Sequence, residues 1–338
     1  MSDADESPGW AAIDAALKPI YGEQEPRHMA PMLPPMLGGS DPLHGISAYR
    51  SGFGGTPHWH FVTYGYTELW QKESEDPEYS GFGFEMTMRV VDASDEPPMW
   101  VFNLLQNVAR YVFRTGNVFA VGHSVPANGP IHDGTDTALV AAVFAEDPQL
   151  PPISTPNGDV EFLQLVGLTQ DEYDAAREWD ADKLLELARP RNPALVTDEH
   201  RTSWLEQPAF RAAVEAGVEK DGSSQGVLMM THGSFEPGPP SVLGVAASAL
   251  DNLQRAMRNR LGHGRGLLLT WPEGEAGLLP EPHPDDPQGL VLSPPDREAL
   301  MAIPVKRGDY SLPGGLVVRV IPVDIYDATR THVVKVIG

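Results

Sequence analysis

The sequence predicts an α+β fold of two mixed α/β lobes, and three observations carry that expectation. Segments of period-two alternation and segments with helical spacing of apolar residues follow one another without the regular alternation of a doubly wound sheet. The 338 residues, 41% of them hydrophobic, suit about two domains with a core in each. One Gly/Pro-dense stretch, HGSFEPGPPS at 232–241, has neither period and reads as a boundary. The expected organisation is a first domain over 1–231, a linker over 232–241 and a second domain over 242–338.

The elements follow in order. Ser7-Pro8 reads as an N-cap followed by proline at the first helical position, opening a helix with Trp10, Ile13 and Leu17 on one side and its end before Tyr21-Gly22. A Met/Pro/Gly-rich loop fills 29–42. Strands are expected at 58–66 and 81–91; in the second, Phe82, Phe84, Met86, Met88 and Val90 alternate with Gly83, Glu85, Thr87 and Arg89, a buried face against a polar one. Glu73, Glu75, Asp76 and Glu78 between them read as a solvated loop. From Pro98, the spacing of Val101, Leu104, Leu105, Val108 and Val112 predicts a helix, with Gly116 where a C-cap belongs. Strands are expected at 118–122, 138–145 and 160–167, and helices at 170–179, 181–188 and 208–219. Past the boundary, 245–259 is of uncertain type; 266–271, 316–323 and 332–337 read as strands and 294–303 as a helix. The acidic, proline-rich 280–287 is a loop. No repeat of solenoid period occurs.

Composition narrows the function. With 47 acidic against 24 basic side chains the formal net charge is −23, which opposes nucleic-acid and anionic-membrane partners; its plain reading is solubility, and its sharper one a basic protein partner. The absence of cysteine excludes disulfides, thiol nucleophiles and Cys-ligated zinc. The start MSDADESPGW has no signal-peptide character and no apolar run reaches the ~20 residues that span a bilayer, so the expectation is a soluble, cytoplasmic protein.

Few residues suggest chemistry. His58 and His60 share one strand face, so both imidazoles are candidates for one metal, though a lone HxH is more simply a pair of hydrogen-bonded sheet histidines. The loop holding His132, Asp133 and Asp136 has the Asp/Gly/Pro density of a tight turn. A metal-dependent hydrolase using His58, His60 and the His132/Asp133 loop is therefore the alternative function, not the first. Gly262-His263-Gly264-Arg265-Gly266 lacks the lysine and hydroxyl of a phosphate loop, and neither G-x-S-x-G nor H-E-x-x-H occurs. No catalytic residue, metal or cofactor is expected. Glu146-Asp147 differs in kind: it ends the apolar run Leu139, Val140, Val143, Phe144 and precedes Pro148, so both carboxylates are expected to project at a sheet margin and catch a cation or a peptide donor.

Taken in order, IYGE at 20–23, MLGGSDPLHGISAYR at 36–50, PHWHFVTYGYTEL at 57–69, SGFGFEMTMRV at 80–90, VARYVF at 108–113, EDPQL at 146–150 and TPNGDVEFLQLVGLT at 155–169 resemble the Suppressor of fused family. So do LVTD at 195–198 and EKDGSSQGV at 219–227, and more weakly RNRLGHGRGLLLTW at 258–271 and YSLPGGLVVRVIP at 310–322. The resemblance implies two lobes with a cleft between them, which in animal members clamps a short peptide of a Gli transcription factor as an added strand, without catalysis. It assigns Tyr111 to the family's cleft tyrosine, and Glu146 and Asp147 to its acidic pair. Leu37, Gly38 and Gly39 match its tryptophan-leucine-glycine-glycine loop, with Met36 in place of the tryptophan. His123 stands where the family has a peptide-binding aspartate. The chain is short, like bacterial members, which resemble immunity proteins of toxin systems. The implied function is non-enzymatic capture of a partner peptide or domain, in bacteria an immunity protein neutralising a basic toxin domain.

Overall fold

Apolar alternation and helical spacing settle into two compact units in a computed structural model that describes residues 7–33, 38–286, 288–326 and 332–338. One unit comprises Met1–Ala176 and Ala181–Arg211, the other Arg177–Asp180 and Ala212–Gly338. The class is mixed α/β, as expected.

In the first unit the elements are α1 (Pro8–Tyr21), β1 (Arg27–Met29), β2 (Gly45–Ser51), β3 (His58–Tyr64), β4 (Tyr79–Val90), α2 (Met99–Thr115), β5 (Ser124–Pro126), β6 (Leu139–Glu146), β7 (Ile153–Thr155), β8 (Gly158–Thr169), α3 (Gln170–Glu178), α4 (Ala181–Ala188) and α5 (Pro208–Asp221). The last residues of α3 and most of α5 belong to the second unit. One sheet has the order β1-β2-β3-β4-β8-β6-β5, with β7 added on β8. Its central β4–β8 pair is parallel and β6 joins β8 antiparallel.

Both faces of this sheet are covered. Trp59, Phe61, Phe84, Met86, Met88 and Val90 pack under Val101, Phe102, Leu105, Ala109 and Val112 of α2. That helix ends where Gly116, at φ 73°, adopts the left-handed conformation and donates its N–H to the Val112 carbonyl (2.8 Å). Tyr49, Val62, Tyr64 and Phe162 point the other way and receive Ile13 and Leu17 of α1. The start of α1 is fixed by Gly9, whose N–H donates to Leu69 O (3.0 Å); a Cβ there would lie 2.2 Å from the Glu68 carbonyl oxygen.

The second unit adds β9 (Val227–Met229), β10 (Gly233–Glu236), β11 (Val242–Ala246), α6 (Leu250–Asn259), β12 (Leu267–Trp271), β13 (Gly274–Leu279), β14 (Leu290–Val291), α7 (Pro294–Met301), β15 (Gly308–Ser311), β16 (Val317–Ile321), β17 (Val323–Tyr326) and β18 (Val333–Ile337). These form sheets β10-β11-β16-β15 and β14-β13-β12-β9 and a β17–β18 hairpin. Their core gathers Leu243, Val245, Leu253, Leu269, Leu278, Leu300 and Val318. Ser293 and Asp296 cap α7 reciprocally.

Three expectations change. The stretch 232–241 is not all linker: Gly233–Glu236 pairs with β11, and the division between units falls at Arg211/Ala212. The apolar run 118–122 is not a strand, because the chain turns there: His123 N–H donates to Ala120 O and Gly122 sits at φ 82°. The strand comes just after, at Ser124–Pro126. Residues 245–259 divide into the end of β11, a short 3-10 turn and α6.

Candidate functional site

The polar face of β4 is not solvated. Glu85, Thr87 and Arg89 have no exposed surface, because α1 and the neighbouring strands close over them. Register places Arg89 opposite His60, and the residue after β6, Asp147, turns onto this face with only 5% exposure. Arg89 holds the Asp147 carboxylate with both ends of its fork, Nη1 to Oδ2 at 2.6 Å and Nη2 to Oδ1 at 3.0 Å. His60 Nε2–H (3.1 Å) and the Thr87 hydroxyl (2.7 Å) donate to Oδ2, and the backbone N–H groups of Gln149 (2.8 Å) and Leu150 (3.0 Å) donate to Oδ1. Arg89 also bonds the Gln164 amide oxygen, whose NH2 donates to the carbonyls of Ala194 and Leu195, both at 2.9 Å.

Protonation follows from these contacts. Burial alone would raise the Asp147 carboxyl, but the His60 imidazole and Arg89 guanidinium hold it well below the usual carboxylate range. Burial, reinforced by the Arg89 charge and opposed by Asp147, lowers His60 to about 4. His60 is therefore neutral at pH 7. Asp147 fixes its proton on Nε2, leaving Nδ1 to accept the Tyr21 hydroxyl at 2.6 Å. With both nitrogens engaged, His60 has no lone pair for a metal. His58 shares the buried face and bonds Thr56 O through Nδ1 (2.6 Å). Among the described residues no group of three His, Asp or Glu side chains is placed to hold a metal ion. His132 lies elsewhere, paired with Glu199 (2.7 Å) and stacked on Trp100. The hydrolase constellation is therefore not assembled around His60.

A second locus forms at the edge of the same sheet. Tyr111 of α2 stacks on Phe119 (5.8 Å between rings), and Phe119 stacks on Phe144 of β6 (4.2 Å). The Tyr111 hydroxyl accepts the Asn117 amide at 2.9 Å. The Phe144 N–H donates to His123 O (2.9 Å), so His123 leads directly into β5. Glu146 lies two residues beyond Phe144, on the same strand face by alternation, and is exposed. His123 and Ala127 turn their backbone groups toward β6 (Ala127 N–H to Val140 O, 2.8 Å), so alternation directs those of Ser124 and Pro126 outward. β5 ends the strand order, and no strand pairs with its outer edge among the described residues.

The structure thus brings Tyr111, His123 and Glu146 together around the Phe119–Phe144 stack. Asp147 corrects the expectation of two projecting carboxylates: successive strand residues face opposite sides, and the one beside Arg89 is drawn inward. Gly38 and Gly39 lie in a loop tied to α2 by the Asp41–Arg110 ion pair (2.6 Å), while Leu37 lies outside the described residues. Phe119, Arg89 and the β5 edge were not singled out by sequence reasoning. The SGFGFEMTMRV run held the signal for Arg89, a lone cation in a strand otherwise rich in apolar residues.

No helix among the described residues is long and apolar enough to cross a membrane. The fold and this site define a mixed α/β protein with a polar interior and an open sheet edge flanked by aromatic rings. A family model described as Suppressor of fused protein matches residues 39–202. Suppressor of fused homologs of human and mouse are each 35% identical over 238 residues, covering 64% of this chain and 48% of the relative. A Sufu–Fu complex crystal structure matches at 32% identity and TM-score 0.58 over 62% of this chain and 98% of that one. The crystal structure of Drosophila Suppressor of Fused shares the fold, with TM-score 0.77 at 23% identity over 93% of this chain and 97% of that one. The chain belongs to the Suppressor of fused family. It spans about half the length of the curated relatives it matches.

Proposed function

We propose that this chain holds a polypeptide partner without catalysis, and that a segment of the partner adds as a strand along the outer edge of β5. The observation that carries the reading is the open edge at Ser124–Pro126, next to the Tyr111–Phe119–Phe144 stack and the exposed Glu146. Backbone groups of Ser124 supply ladder hydrogen bonds, and the flanking side chains select the partner's residues. Pro126 limits how far the ladder extends, because it has no N–H to offer.

The partner is a basic protein. Of the 47 acidic residues 30 lie in the first unit, against 12 of the 24 basic ones, so the unit carrying the edge also carries most of the negative charge. Such a field steers a cationic partner. A toxin domain neutralised by this chain in the cytoplasm as an immunity protein fits that description, and one of the matched relatives was crystallised as the Sufu–Fu complex. The test is affinity capture from the native host with wild type, Ser124→Pro and Glu146→Lys. A basic protein retained by wild type and lost by both variants supports the reading. Equal retention by all three overturns it.

A further inference from the structure

We infer that Arg89 and Asp147 are positioning residues for Glu146: their buried ion pair fixes the end of β6 so that the Glu146 carboxylate stands exposed at the end of the Phe144 face, opposite the face that holds Arg89. The inference rests on the binding reading above, in which Glu146 meets the partner.

The geometry is over-determined. Asp147 continues the ladder through its N–H to Phe162 O (3.1 Å), so Glu146 and Asp147 are still extended neighbours and must face opposite ways. Asp147 is held inward from three directions: by Arg89 and Thr87 of β4, by His60 of β3, and by the N–H groups of Gln149 and Leu150. Arg89 is in turn anchored through Gln164 to the 194–195 backbone. Reversing the pair would turn the Asp147 carboxylate onto the face of Phe144 and Leu163, the apolar layer under α2, and leave Arg89 without its anion. Neither is tolerable for a buried charge. The pair therefore has no contact with a partner to make; it sets the direction of the residue that does.

Arg89→Lys probes this, since lysine keeps the charge but loses the two-pronged grip. The probe ligand is a heptapeptide selected from a random library against the wild-type chain, accepted only if Ser124→Pro abolishes its binding. Glu146→Gln and Arg89→Lys should each weaken that peptide by about tenfold. The double variant should be no weaker than either single one, because both remove the same contact. Arg89→Lys should also speed amide hydrogen exchange at Gln149 and Leu150. If Arg89→Lys fails to fold, Thr87→Val, which removes one uncharged donor to Asp147, carries the same comparison. The inference is overturned if Arg89→Lys leaves the peptide's affinity unchanged, or weakens it by the same factor with Gln as with Glu at 146. If no peptide depends on Ser124, the strand-addition reading itself fails and this inference falls with it.

Discussion

A guanidinium and a carboxylate with no exposed side-chain surface give Arg89 and Asp147 a large leverage on stability. Removing one partner leaves the other charged and buried, which costs about 3–5 kcal/mol, whereas apolar replacement of both is far less damaging. Asp147→Ala should therefore lower unfolding free energy by about that amount in urea titrations, and Arg89→Met with Asp147→Leu should lose less than the sum of the single changes. A second buried group gives a pH signature. Glu85 accepts hydrogen bonds from Thr63, Gly65 and Thr67, and burial pushes it up to about 7. It keeps its proton in the folded chain after the unfolded chain, with an ordinary value of 4.5, has released it. Its contribution is complete below pH 4.5 and fades as pH rises to about 7. His60 acts in the opposite sense, losing stability as pH falls from 6.5 toward about 4, and His28, His44 and His58, each lowered by burial, act with it. Glu85→Gln removes the opposing share, so the loss of stability between pH 7 and pH 5 should become steeper than in wild type. An unchanged slope in chemical denaturation would contradict a buried, protonated Glu85.

Among the elements, α1 depends on a close approach that only glycine allows. Gly9→Ala places a Cβ against the Glu68 carbonyl, a backbone atom that has no rotamer to adopt. The variant should lose roughly 1–3 kcal/mol and become sensitive to proteolysis within α1, checked by limited digestion with mass spectrometry. β5 behaves differently. Ser124→Pro removes an N–H that points away from β6, so melting should stay close to wild type while capture is lost. Legibility also differed by element. The helix over Met99–Thr115 was readable because its apolar spacing and its Gly116 cap agree. β5 was not, because three residues carry no period and the neighbouring VFAVG looked more like a strand. The alternation of β4 was legible, but its meaning was not: period two separates two faces without saying whether water or α1 covers the polar one. For the same reason Glu146 and Asp147 read as a pair, when adjacent strand residues must part. Tyr111 and His123 entered through family resemblance alone, whereas Glu146 was also marked by its place at the end of an apolar run before Pro148.

For the whole molecule, the uneven charge sets how a partner arrives. A basic partner steered by the first unit's acidic field should associate more slowly as salt rises, with dissociation changing less, as read by surface plasmon resonance from low to physiological ionic strength. The central claim concerns where that partner then sits, and amide hydrogen exchange at β5 tests it most directly. In the captured complex the Ser124 amide should exchange far more slowly than in the free chain, since a new strand takes its outward N–H. A bound partner that leaves the Ser124 amide exchanging at its free rate would contradict the account.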